Sequence, residues 1–392
     1  MGDSFKAAQF GLTSEQQSIW DLAATFGREQ IEPYAIVWDQ KKFFPIDVIR
    51  SVAQLGMGGI CVAEDKGGSG LGRLDSVLIY DGLAAACPSI AGYLSVHNMV
   101  GWIIDTYGST EQRERFLPRL CRLEWLGAYC LSEPASGSDA AALTTTAVQD
   151  GDSYVLNGVK QFISGAGAAD VYIVMARTGE SGPRGISAFL VEKDIPGLSF
   201  GACEKKMGWN AQPTRQVILE DVRVPKSNLL GVAGSGFKIA MAALDGGRLN
   251  IAACSLGGAR SALAKAMAYM QERHAFGRPI NDFQALQFRL ADMATHLQVA
   301  QIFLWSAAAA LDTKAENSSI LCAMAKRYVT DAGFDIANNA LQLLGGYGYL
   351  VDYGIEKLVR DLRVHQILEG TNEIMRVIIA RSLVPSAGGS IG

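Results

Sequence analysis

The chain carries almost no excess charge of either sign, and it has no long apolar run. Its 392 residues include 35 Lys and Arg against 39 Asp and Glu, a formal net charge of −4. A nucleic-acid-binding protein must neutralise many phosphates, so this balance favours a small-molecule or protein partner and no nucleic acid. The most apolar helical stretch, residues 299–311, falls short of the roughly 20 residues that a membrane span needs. We therefore expect no membrane segment.

Patterns typical of disulfide and metal sites are also missing. The seven cysteines are odd in number and never form a CxxC pair, which is typical of a reducing compartment. The four histidines have no ligand-type spacing, so no metal site is expected at His97, His274, His296 or His365. Neither end carries a recognisable targeting signal. These features favour the cytoplasm for a bacterial chain, or the mitochondrial matrix for a processed eukaryotic chain.

The glycine-rich strings do not match a dinucleotide-binding loop. Residues 67–72 follow no clear strand and lack the GxGxxG spacing, and residues 165–170 fail at the third glycine. A nicotinamide enzyme with a Rossmann sheet is therefore disfavoured. A redox cofactor, if one binds, must lie between helical and β regions.

Periodicity divides the chain into three regions. With 49% hydrophobic residues, it can bury a large core in two or three domains. Helical spacing covers the first third, short β-rich runs follow from residue 127, and long helical blocks return after a glycine-rich linker at 231–236. We predict an α+β fold with an N-terminal helical domain (1–126), a middle antiparallel β domain (127–232) and a C-terminal four-helix bundle (233–392). The predicted bundle helices are 237–274, 282–311, 316–344 and 372–383.

Two separated strings contain residues suited to chemistry. YCLSEPASGSD (129–139) combines serine hydroxyls with a glycine that lets backbone N–H groups approach an anion, although an ordinary polar turn has the same composition. QILEGTNE (366–373) sets Glu369 beside a glycine, immediately before a helical run. A carboxylate in that position is a candidate catalytic base.

Together these strings resemble the acyl-CoA dehydrogenase family, and the similarity extends over nearly the whole chain. RHAFG (273–277) and QLLGG (342–346) also match family segments. The resemblance implies a flavoprotein that binds FAD. By the same resemblance the cofactor-binding residues are Tyr129, Leu131, Ser132, Ser138, Phe162, Ser164, Arg273, Phe276, Gln284, Gln342, Gly345, Gly346, Thr371 and Glu373.

The resemblance also assigns roles around the flavin. Phe162 would cover one face of the isoalloxazine ring and Ser164 would touch its reactive edge, where many relatives carry Trp and Thr. A phenylalanine in a strand is otherwise most simply a core residue. Arg273, with Gln284 and Gln342, would hold the FAD of a neighbouring subunit. The cofactor site would then be shared across a dimer interface, in a family that is usually tetrameric.

For the substrate, the resemblance implies that Glu369 removes the α proton of an acyl-CoA. In a subset of relatives the base lies at the position of Gly247, so the absence of a carboxylate there favours Glu369. Burial would raise the pKa of Glu369 while the following helix N-terminus would oppose that shift, and the sequence does not rank the two. The residues expected near the substrate are Ser138, Asp245, Gly247, Arg248, Leu368 and Arg381.

Leu368 indicates the acyl group, because straight-chain enzymes of the family often carry Tyr before the base. A smaller side chain could admit a methyl branch at Cα. The expected reaction is oxidation of isobutyryl-CoA to methacrylyl-CoA in valine breakdown, with hydride transfer to flavin N5 and electrons passing to an electron-transferring flavoprotein. The alternatives are a short-chain or 2-methylbutyryl-CoA dehydrogenase, an acyl-CoA oxidase, and a non-enzymatic flavin or acyl-CoA binding protein.

Overall fold

Helices form the first third of the chain. The structure is a computed structural model that describes residues 11–384; the extreme ends, on which the expectation about targeting signals rests, lie outside those residues. Thr13 and Gln16 form a capping box at the start of the first helix. The helices are α1 (Ser14–Phe26), α2 (Ala35–Lys41), α3 (Ile46–Ser51), α4 (Arg73–Ala86), α5 (Pro88–Tyr107) and α6 (Thr110–Cys121).

Helix α4 begins at Arg73. Its first turn is capped by Asp312, whose carboxylate accepts hydrogen bonds from the backbone N–H groups of Arg73 and Leu74 at 2.6 and 3.0 Å. Because Asp312 is more than 200 positions away in the chain, local sequence could not reveal this cap.

The middle of the chain is one eight-stranded sheet in the order β6-β7-β3-β2-β4-β5-β8, with β1 on β4. Its strands are β1 (Gly127–Cys130), β2 (Thr146–Asp150), β3 (Ser153–Ser164), β4 (Val171–Arg177), β5 (Ile186–Glu192), β6 (Leu198–Phe200), β7 (Thr214–Pro225) and β8 (Leu229–Leu230). The expectation of purely antiparallel strands was wrong, because β1 pairs with β4 in parallel. This pairing places the end of β1, where YCLSEPASGSD continues, beside the buried strand β4.

Long helices return after β8. They are α7 (Gly236–Glu272), α8 (Gln284–Asp312), α9 (Ser318–Leu344), α10 (Ile355–Arg363) and α11 (Asn372–Leu383), with a short hairpin of β9 (His274–Ala275) and β10 (Arg278–Pro279) before α8. Helices α7, α8 and α9 pack on one another, α11 packs on α9, and α4 adds a broad contact to α7. Helix α10 was not predicted from the sequence. The predicted α+β class and the order of helical, β and helical regions are confirmed.

Within residues 11–384, no helix combines the length and apolar character needed to cross a membrane. The same residues contain no cluster of three His, Cys, Asp or Glu side chains that could hold a metal ion.

Candidate active site

Glu369 lies in a strained turn between α10 and α11. Its φ is +56° and that of Gly370 is +88°, a left-handed conformation that costs an ordinary residue about 1–3 kcal/mol. Thr371 begins α11 by accepting a hydrogen bond from the Ile374 N–H at 3.3 Å. Ahead of the turn, buried His365 accepts from Trp209 Nε1 at 3.1 Å and contacts Ser255 Oγ at 2.7 Å. The turn is therefore anchored on both sides.

The carboxyl group of Glu369 lies against the backbone of Gly247 in α7. A Cβ at position 247 would stand 2.5 Å from Glu369 Oε2, so the carboxyl of Glu369 occupies the space that a side chain at position 247 would need. Glu369 Oε2 is buried and has no hydrogen-bond partner. Burial raises the pKa of Glu369 to about 7, against the opposing positive charges of Arg248 and Lys326. Burial therefore outweighs these two positive charges.

Arg248 places its charge beside this carboxyl and donates to Asp245, also on α7, at 2.6 Å. Asp245 links α7 to α9 by accepting from Ser319 Oγ at 2.7 Å. Of the residues predicted near the substrate, Gly247 and Arg248 therefore lie at Glu369, and Asp245 is joined to them through Arg248. Arg381 does not lie there: it is exposed in the last turn of α11, away from the turn that carries Glu369.

The 129–139 string is joined to β3, which carries Phe162 and Ser164, by a buried ion pair. Lys160 Nζ donates to Glu133 at 2.7 Å and to the Leu131 carbonyl at 3.2 Å, and the Gln161 N–H donates to the Ser132 carbonyl at 2.9 Å. Burial alone would raise the pKa of Glu133, but Lys160 and hydrogen bonds to the carboxylate hold it at about 2. The charged pair fixes the end of β1 against β3.

Phe162 projects outward and is not a core residue. It is 67% exposed with φ at +61°, at an irregularity in the pairing of β3 with β7 between Lys160 and Ile163. Half-buried Ser164 follows on the same strand. An exposed ring held in strained backbone beside a hydroxyl suits a residue that covers a bound planar group.

Tyr129, on β1, lies close to Glu369. Its hydroxyl is buried without a hydrogen-bond partner, and burial, followed by the nearby Glu369 charge, raises its pKa. Two polar atoms without hydrogen-bond partners, on Tyr129 and Glu369, thus lie near each other. A flavin ring with an acyl thioester would bind beside such atoms, so the residues fit FAD.

A second group of predicted cofactor residues lines a separate cavity of about 580 Å³. It contains Arg273, Gln342, Gly345 and Gly346, and the Arg273 guanidinium lies 5.6 Å from the Tyr347 ring centre. Phe276 is 95% exposed at the tip of the β9–β10 hairpin, and Gln284 is exposed at the start of α8. One chain therefore presents the predicted cofactor residues as two separate surfaces.

The remaining predicted positions are solvent-facing or serve the local fold. Ser138 is exposed and Leu368 half-buried, Thr371 caps α11, and exposed Glu373 pairs with Arg376 at 3.3 Å. Among the buried polar residues that were not predicted from the sequence are Glu133, Lys160 and Lys326, which lie beside the site. Lys326 had a signal, because it follows the largely apolar run 320–325 on a helix.

Comparison with known proteins agrees with this architecture. Three family models match in order: the acyl-CoA dehydrogenase N-terminal domain (residues 13–124), middle domain (128–222) and C-terminal domain (234–384). The chain belongs to the acyl-CoA dehydrogenase family. Like other members, this acyl-CoA dehydrogenase is an FAD-dependent oxidoreductase.

Individual relatives match over most of their length. Mitochondrial isobutyryl-CoA dehydrogenases from Bos taurus and Dictyostelium discoideum are 53% and 54% identical, each match covering 95% of this chain and 90% of the relative. The solved structure of butyryl-CoA dehydrogenase from Megasphaera elsdenii is 37% identical with a TM-score of 0.93, covering 95% of this chain and 99% of that one. The domain order of this acyl-CoA dehydrogenase is therefore that of its relatives.

Proposed function

We propose that this acyl-CoA dehydrogenase oxidises a short branched acyl-CoA, isobutyryl-CoA to methacrylyl-CoA, with Glu369 as the base. The observation that carries the proposal is the buried, unpartnered Oε2 of Glu369, packed against a glycine that leaves it room. FAD, when bound, supplies the acceptor for the hydride that leaves Cβ.

Glu369 takes the α proton onto a carboxylate oxygen. A pKa near 7 makes it a stronger base than an exposed glutamate while leaving much of it ionised at neutral pH. Arg248 and Lys326 place positive charge beside it and favour the ionised form. Phe162 and Ser164, with the strand end at Ser132, form the surface that orients the flavin.

The acyl preference rests on Leu368 and on the relatives. Leu368 is smaller than the Tyr of straight-chain enzymes, and the two relatives at 53% and 54% identity are named isobutyryl-CoA dehydrogenase. By the same likeness we propose a role in valine breakdown, with electrons passing to an electron-transferring flavoprotein and with FAD sites shared between subunits of a homotetramer. A mitochondrial location is proposed if the chain is eukaryotic, and a cytoplasmic one if it is bacterial.

The base assignment is tested by Glu369→Gln. The variant should stay folded and yellow, while anaerobic flavin bleaching by isobutyryl-CoA slows by about 1,000-fold, the scale of general base catalysis. Glu220→Gln, a change at an exposed glutamate on β7, serves as the control and should bleach normally. Rapid bleaching by Glu369→Gln would remove Glu369 from the mechanism.

The acyl preference is tested by comparing isobutyryl-CoA, 2-methylbutyryl-CoA, butyryl-CoA and isovaleryl-CoA in the same assay. Fastest bleaching by isobutyryl-CoA is expected, and Leu368→Tyr should slow that thioester more than butyryl-CoA. Equal slowing of both would contradict the steric argument. Peroxide as the main product in air would favour an acyl-CoA oxidase, and absence of bleaching with every thioester would favour a binding protein.

A further inference from the structure

Lys326 is a fully buried ammonium group on α9 that contacts the turn carrying Glu369. It is 0% exposed. Its Nζ donates to the Gly370 carbonyl at 2.7 Å and to Asn372 Oδ1 at 2.8 Å. Burying a lysine is costly unless the ammonium is well bonded, so a residue of this type at this place calls for a role.

Asn372, which begins α11, extends the network back to α9. Its Nδ2 donates to Thr330 Oγ1 at 3.0 Å and to Asp331 Oδ1 at 2.7 Å. The bonds from Lys326 and Asn372 hold the turn on the side that follows Glu369. Left-handed backbone at Glu369 and Gly370 persists only where surrounding contacts determine it, and these bonds supply such contacts.

We propose that Lys326 is the positioning residue of the base: its amino group fixes the turn that carries Glu369 and, when protonated, places a positive charge beside the carboxylate. This inference rests on the proposed role of Glu369 as the base. Lys326 touches Gly370 and Asn372, and it acts on the reaction only through Glu369.

The charges around Glu369 come from several elements. Burial lowers the pKa of Lys326 to about 7, and the Glu369 charge is the strongest influence that raises it again. Lys326 in turn lowers the pKa of Glu369. The other titratable or charged groups that face this pair are Arg248 on α7 with its partner Asp245, Tyr129 on β1, Asp331 on α9, His365 ahead of the turn and Glu373 on α11.

Three variants separate the charge of Lys326 from its hydrogen bonds. Lys326→Met removes both, Lys326→Gln removes the charge but keeps a donor, and Thr330→Val loosens Asn372 without changing any charge. The measurements are single-turnover flavin bleaching against pH, thermal unfolding, and hydrogen exchange of the peptide 364–375. Hydrogen exchange reports the turn independently of turnover.

Bleaching should be faster at high pH, because only ionised Glu369 accepts the proton. Without the neighbouring positive charge, the midpoint of this rise should move upward by about one to three pH units in both Lys326 variants. The rate of Lys326→Met at its own pH optimum should fall by about 100-fold, the effect of a base displaced by about 1 Å. Exchange of 364–375 should quicken in Lys326→Met, and Thr330→Val should keep the wild-type midpoint.

An unchanged pH midpoint in both folded Lys326 variants, with normal exchange of 364–375, would overturn the proposal. Wild-type protein and Glu369→Gln are run beside them. If wild type bleaches and Glu369→Gln does not, a null result at Lys326 contradicts this inference alone. If wild type bleaches with no thioester, or Glu369→Gln bleaches normally, the proposed function itself fails.

Discussion

At the residue scale, Gly247 shows how a missing side chain can shape a site. The glycine lies within a 37-residue helix, where alanine would be favoured by about 1 kcal/mol. A methyl group there would meet the Glu369 carboxyl at 2.5 Å, closer than real Cβ contacts allow. The position therefore trades local helix stability for room beside the proposed base.

Gly247→Ala is accordingly expected to preserve the helix and impair the chemistry. The added methyl must displace Glu369, so the rate of anaerobic flavin bleaching should fall by about 100-fold. The thermal midpoint should stay the same or rise, because alanine favours the helix. A large loss of thermal stability would instead indicate that the glycine serves packing, and normal bleaching would show that Glu369 tolerates the methyl group.

At Phe162 the backbone conformation decides where the side chain lies. Strand periodicity alone suggests a core residue, but a left-handed φ of +61° turns the ring outward. The neighbouring Ile163 is 3% exposed and takes the core position. Because one bulged residue reverses which side chain faces the core, strand patterns near a bulge assign faces unreliably.

At the element scale, the joining of β1 to β3 depends on the Lys160–Glu133 pair. Glu133 also accepts hydrogen bonds from Thr144 and Thr145, at 2.6 to 2.9 Å, so one carboxylate holds three segments of chain. A buried pair of this kind gives little net stability compared with apolar packing, yet breaking it is costly. Its value lies in fixing the geometry of the flavin surface.

Lys160→Met should therefore destabilise the fold by about 3–5 kcal/mol, because it leaves Glu133 charged and unpaired. The double variant Lys160→Met/Glu133→Gln should recover part of that loss of unfolding free energy in urea. Equal stability of wild type and Lys160→Met at neutral pH would contradict this account.

The contribution of Glu133 to the stability of the fold depends on pH. Since its pKa is lowered to about 2 in the folded chain, its stabilisation is present above the ordinary carboxyl range and is lost as pH falls towards 2.

At the scale of the whole molecule, the predicted cofactor residues lie in two places on one chain. Lys326, beside the base, and Gln342, in the second cavity, are both on α9 and are separated by roughly 24 Å along its axis. Such a separation is what a site shared between subunits requires, with each chain supplying the base region to one FAD and the Arg273 region to another.

Sharing predicts complementation between two inactive variants. Glu369→Gln lacks the base and Arg273→Ala should lose FAD, but a mixed dimer contains one site with both residues intact. Co-expression with two affinity tags should restore bleaching in the doubly purified species. In the unfractionated mixture, random pairing of equal amounts of the two variants should give about one quarter of wild-type activity. If each site lies within one chain, the mixed species stays inactive.

Local sequence predicted the helical and β regions, indicated the family and supplied Glu369 as the candidate base. These predictions depend on local periodicity, on caps such as Thr13 with Gln16, and on short strings that keep their residues together. The folded structure was needed to see that Glu369 meets Gly247, that Lys160 and Lys326 are buried, and that Asp312 caps α4. Each of these joins residues far apart in the chain, and burial, which sets the pKa of Glu369, belongs to the folded whole.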